Sequence, residues 1–201
     1  MINGYSDRIN HALAFAAKHY DQQVRRGVRA PYTTRPSNVA IILTRYGQAD
    51  DCVIAGILHK VVGDYISDGF SRERLDERLA DKFGSAVVDA IVPIVERRYD
   101  DEGVELSQDE RKADLLERLG AAGENSLWAC AADTLHNCAS LLADLRRTEF
   151  RDMVWERQPG GRENTLRWYR AVSDSLQGTG FRTPIMTELQ SVIEELERFP
   201  R

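Results

Sequence analysis

What most constrains the fold is a helical period that recurs along nearly the whole chain, with no stretch of convincing two-residue alternation. Gly, Pro and Ser or Asp break the pattern at short intervals, so it reads as a series of helices rather than one long coil. A sheet-based fold is thereby excluded. The expected architecture is all-α, about eight or nine helices in one domain over residues 1–201. With 42% apolar residues the chain can bury one sizeable core. No apolar run approaches the ~20 residues needed to cross a bilayer.

The first helix is expected from Ser6 or Asp7 to about Gln22, with Ile9, Leu13, Ala16, Ala17 and Tyr20 as its apolar stripe. After a basic loop, VRRGVRAPYTTRP, Pro36 suits the first position of a helix Ser37–Tyr46 that Gly47 ends. Asp50 or Asp51 caps a third helix, CVIAGILHKVV, which gives way to a loop GDYISDGFS. LDERLADKFG and SAVVDAIVPIVERR follow, and Pro93 must kink or end the second of these. Tyr99 to Leu106 reads as an acidic loop. Ser107 and Glu110 form a capping box opening a helix to about Leu119. A long, centrally apolar helix, about Asn125 to Arg147, is the expected core element. Arg162–Gln177 and Thr183–Phe199 complete the set.

The 27 basic residues against 32 acidic ones give a net charge of −5, which argues against a DNA-binding surface but leaves room for a small basic pocket. Cys52, Cys130 and Cys138, odd in number and without CxxC spacing, read as reduced core thiols. The start MINGYSDRIN lacks a basic segment followed by an apolar one. A cytoplasmic address is therefore expected, with no membrane partner and room for a homo-oligomer. No Gly-rich phosphate loop and no Ser-His-Asp order supports NTPase or serine-hydrolase chemistry.

Three polar islands interrupt the apolar helical pattern: Pro31-Tyr32-Thr33-Thr34-Arg35-Pro36, Leu58-His59-Lys60-Val61-Val62-Gly63-Asp64 and Ala132-Asp133-Thr134-Leu135-His136-Asn137. Polar groups on core-facing turns must find partners, and the cheapest solution places them against one another around a pocket. Asp133, His136 and Asn137, at i, i+3 and i+4, project from one helix face.

The order and surroundings of these islands resemble the HD-domain metal-dependent phosphohydrolases, most closely the small alarmone hydrolases and the hydrolase domains of RelA/SpoT-type proteins. In that family the islands read PY-x-x-HP, LLHD-x-x-ED and ADR/K-L-H/Y-N, and a late helix rich in Trp and Tyr closes the nucleotide pocket. The resemblance implies an HD-type helical bundle, Mn²⁺ held by two histidines and two aspartates, and a Glu-Asp pair assisting water attack. The implied reaction removes a 3′-pyrophosphate from guanosine tetraphosphate or pentaphosphate.

This chain departs from the pattern where the chemistry is done. Arg35 stands in place of the first metal histidine, Lys60 in place of the HD aspartate and Gly63 in place of the catalytic glutamate. His59 and Asp133 remain as metal ligands and Asp64 as the catalytic acid. Arg has no lone pair to donate, and Lys has none unless strongly desolvated. At an effective dielectric of about 20, each cation at ~4 Å repels a divalent ion by roughly 8 kcal/mol. The expectation is a metal-free site, with Mn²⁺ relevant only if the protein is active.

Two readings of Arg35 and Lys60 follow. They stand in for the ion and bind the phosphate of a nucleotide or another anion, with Arg35 contacting oxygens bidentately. Alternatively, they pair with Asp133 and Asp64 in a vestigial pocket of a structural or interaction protein. A third reading keeps metal-dependent hydrolysis in a rearranged site. Arg25 and Arg26 match the family's residue that stacks on guanine, and read equally as surface charges. Asn137 suits a ribose hydrogen bond or a cap on a neighbouring helix. Trp168 and Tyr169 suit a base-binding wall or plain packing. His11 and His19 read as structural, His136 as a packed or hydrogen-bonded core histidine with a ligand role as the alternative, and Trp128 and Trp155 as packing groups.

Overall fold

The computed structural model describes residues 5–21, 31–67, 69–100 and 102–200, with ten α-helices, no strand among these residues, and an isolated bridge between Tyr99 and Glu105. Arg25 and Arg26 lie outside the described residues.

Helix α1 (Asp7–His19) starts where Ser6 Oγ accepts from the Ile9 amide, and Lys18 and His19 suit the negative end of its dipole. Of the expected stripe, Ile9, Ala16 and Tyr20 are buried and Leu13 packs against the core, while Ala17 faces solvent and Ala12 takes a core position in its stead. Helix α2 (Thr34–Arg45) begins three residues before the expected start. Pro36 sits in its first turn, where a missing N–H costs no intrahelical bond, and Ser37 Oγ donates to the Thr33 carbonyl.

Helix α3 (Asp50–Ser67) runs through Gly63, where the sequence suggested a stop. Residues 52 to 59 are all buried, so this helix is covered on every side. The packing it gains there outweighs the roughly 1 kcal/mol cost of an interior glycine. Helices α4 (Arg72–Phe83) and α5 (Ser85–Ile91) follow, and a 3-10 turn Val92–Ile94 containing Pro93 ends α5. Carbonyls orphaned there are taken by Arg118, whose Nη1 donates to Val92 and Pro93 and whose Nη2 donates to Val95.

Arg118 belongs to α6 (Gln108–Gly120), which opens on the expected capping box of Ser107 and Glu110. Helix α7 (Glu124–Arg146) is the second core element and packs on α2, α3, α5 and α10. Helix α8 (Arg151–Glu156) is the one the period did not reveal, being too short to repeat. Helix α9 (Gly161–Gly178) packs on α6, and α10 (Pro184–Arg198) packs on α7 and α9. Among the described residues no helix is long and apolar enough to cross a membrane. Cys52 and Cys138 are buried free thiols and Cys130 is half-buried. Burial pushes the Cys52 and Cys130 thiols up to about 12, which keeps them neutral.

Candidate functional site

The three polar islands converge where the first turn of α2, the middle of α3 and the middle of α7 meet. Arg35 holds Asp133 with a two-point fork, Nε to Oδ1 at 2.9 Å and Nη2 to Oδ2 at 2.8 Å. The imidazole of His59 is fixed from behind, since a carbonyl can only accept and Nδ1 lies 2.9 Å from the Gly56 oxygen. Its Nε2 therefore faces Asp133, 3.5 Å from Oδ2. Asn137, one turn along α7, donates to the same Oδ2 at 3.2 Å. It braces Asp133 and also lines the cleft.

Burial alone would raise the Asp133 carboxyl, but the Arg35 guanidinium, followed by His59 and Lys60, holds it well below the usual carboxylate range. Lys60 faces the same space. Burial first, and the Arg35 charge second, hold its ammonium below the usual lysine range, against the pull of Asp133, Glu96 and Asp64. It forms no ion pair with a described carboxylate.

Asp64, one turn after Lys60, pairs with neither cation. Its Oδ2 lies 3.3 Å from His19 Nε2, so α1 contributes a histidine that no local pattern pointed to. Tyr20 is buried beside it, and burial followed by the Asp64 charge raises its phenol. His19, expected to be structural, makes its contact to a site residue.

Two cavities of about 130 and 140 Å³ adjoin and share His59, Lys60, Ile94 and Glu96. One is rimmed by Asp64, Arg97, Arg98 and Arg111, the other by Arg35, Asp133, Lys112, Trp168 and Tyr169. Six cationic side chains against three acidic ones line the pair, in a chain of net charge −5. Arg97 is also held by Asp114, and Arg98 and Arg111 share Glu105. Arg97, Arg98, Arg111 and Lys112 were not singled out from sequence. The ERR run after Pro93 was the available signal for the first two. Trp168 forms a wall with Lys112 Nζ 5.6 Å from its ring centre, and Tyr169 is buried beside it.

The donor set does not fit a divalent ion held in the manner of the resembled enzymes. Both Asp133 oxygens are taken by the Arg35 fork, and no group of three or more His, Cys, Asp or Glu among the described residues is placed to hold an ion.

The sequence profile of the family described as HD domain matches residues 12–119, a stretch that contains Arg35, His59, Lys60 and Asp64 but not Asp133. Among solved structures, lmo0812 from Listeria monocytogenes EGD-e superposes with a TM-score of 0.66 at 23% identity, covering 82% of this chain and 99% of that one. A metazoan ortholog of SpoT, described as hydrolysing ppGpp and acting in starvation responses, superposes with a TM-score of 0.70 at 23% identity, covering 95% of this chain and 96% of that one. No curated protein matches the chain.

Proposed function

The chain belongs to the HD-domain family, and on that premise we propose that its cleft binds a phosphorylated nucleotide without a metal ion and without efficient hydrolysis. The observation that carries this reading is the position of Arg35. Its guanidinium grips Asp133, one of the two retained ligands, and Lys60 adds a second positive charge nearby. A side-chain cation held by the old ligand takes over the ion's electrostatic role. It lacks the open coordination sites through which a metal activates water.

The division of labour differs from the simplest version of this idea. Arg35 spends its fork on Asp133, so the phosphate is held chiefly by Lys60, which forms no ion pair with a described carboxylate. Each cavity lies below the ~300 Å³ at which small-molecule sites begin. A nucleotide must therefore reach past Lys60, with phosphates toward Arg97, Arg98 and Arg111 and the ring system toward Trp168 and Tyr169. Gly63 offers no carboxylate to assist a water, which leaves Asp64, held by His19, without the partner acid of the resembled enzymes.

Calorimetric titration with guanosine tetraphosphate, using protein and Lys60→Ala variant, tests the reading. Binding without added metal, weakened at least tenfold in the variant, is expected. Equal affinity in both proteins would sink it, and Mn²⁺-dependent release of pyrophosphate would favour an active enzyme in a rearranged site.

A further inference from the structure

A second groove lies on the other side of His19, between α1, the end of α3 and α4. It is an open cavity of about 410 Å³ lined by His11, Ala14, Phe15, Lys18, His19, Tyr65, Arg78 and Lys82, with no acidic residue among them. We propose that this groove is a separate binding site for a phosphate-bearing nucleotide, with its phosphates among Lys18, Arg78 and Lys82 and its base over Phe15 and Tyr65.

The charge pattern is the first argument. Arg78 and Lys82 stand at i and i+4 on α4, a like-charged spacing that destabilises an isolated helix by a few tenths of a kcal/mol. The same helix pairs Arg72 with Asp76 at that spacing, Nε to Oδ2 at 2.7 Å. Lys18 faces the groove from α1, and none of Lys18, Arg78 and Lys82 makes an ion pair with a described residue. Three unneutralised cations gathered on one groove of a chain with net charge −5 raise the local potential, and an anion turns that repulsion into attraction.

The floor is the second argument. His11 and Phe15 both lie against Phe83, at 5.1 and 5.8 Å between ring centres, Phe15 lies 6.4 Å from Tyr65, and Tyr65 lies 4.6 Å from His19. This continuous aromatic ladder sits beneath a basic rim. Aromatic faces stack on bases and cations hold phosphates, and the two together are the chemistry that recognises a nucleotide rather than a bare anion. The volume falls within the ~300–1,000 Å³ of small-molecule sites.

The test is calorimetric titration with ATP and, separately, inorganic triphosphate, at low and at raised salt. The proteins are the parent, the Lys18→Ala/Arg78→Ala/Lys82→Ala variant and Lys60→Ala. All three groove substitutions are at exposed positions, so unchanged circular dichroism is the folding control. The expected result is ATP binding that salt weakens, that drops at least tenfold in the groove variant, and that survives in Lys60→Ala. ATP should also bind more tightly than triphosphate. No binding by the parent, or binding lost in Lys60→Ala but kept in the groove variant, would overturn the proposal. Equal affinity for triphosphate would overturn the base contact. The Lys60→Ala arm separates this site from the cleft, so either can fail alone.

Discussion

Replacing Arg35 with Met should expose how much the site depends on its central ion pair. Arg35 and Asp133 side chains are only 17% and 13% exposed, so removing the guanidinium strands a carboxylate largely out of water. Breaking a buried pair from one side generally costs about 3–5 kcal/mol. Here Asn137 at 3.2 Å and His59 at 3.5 Å remain beside Asp133 and offset part of that. The expected loss is therefore about 2–4 kcal/mol, or about 5–15 °C in Tm for a domain of this size. The double variant Arg35→Met/Asp133→Leu removes both charges and should recover to within about 1 kcal/mol of the parent. Urea denaturation followed by circular dichroism, with m unchanged, reads both values. A single variant that loses less than about 0.5 kcal/mol, or a double variant no better than the single, would refute the reasoning.

Three further outcomes follow from the same contacts. The Asp133 carboxyl is held below its unfolded value, so its contribution is fully present above the ordinary carboxylate range and is lost as pH falls through its folded value. Stability should therefore fall below about pH 4, and Asp133→Asn should flatten that limb in an acid unfolding series. Restoring Arg35→His, Lys60→Asp and Gly63→Glu should create Mn²⁺-dependent pyrophosphate release from guanosine tetraphosphate. A Cβ at Gly63 would meet only Val95 Cγ1, at 3.9 Å, and persistent inactivity would count against the assignment of these positions. Gly56→Ala would place a Cβ 2.5 Å from Leu43 Cδ1 and 3.0 Å from Val39 Cγ1, both on fully buried side chains. Overpacking should cost about 1–3 kcal/mol in urea denaturation.

The convergence of Arg35, His59, Lys60 and Asp133 was legible in sequence because each interrupts an apolar helical face, and a buried polar group must find another. The pairing of His19 with Asp64 was not legible, since it depends on how α1 sits against α3 and no local period encodes that. Asn137 shares a helix face with Asp133 by its spacing, and the structure adds that its amide braces the carboxylate one turn earlier. Gly63 read as a stop because an interior glycine is costly on its own, and burial of α3 overrode it. The Lys18, Arg78 and Lys82 groove draws on two helices far apart in sequence, each of which alone reads as an ordinary solvated face.

The central claim is that a side-chain cation has replaced the metal in a cleft that still binds phosphate. It is tested most directly by titrating guanosine tetraphosphate into chelator-treated protein and analysing the recovered nucleotide. The account predicts binding that added Mn²⁺ does not strengthen, with the nucleotide recovered intact. Binding that appears only with Mn²⁺, accompanied by released pyrophosphate, would contradict it.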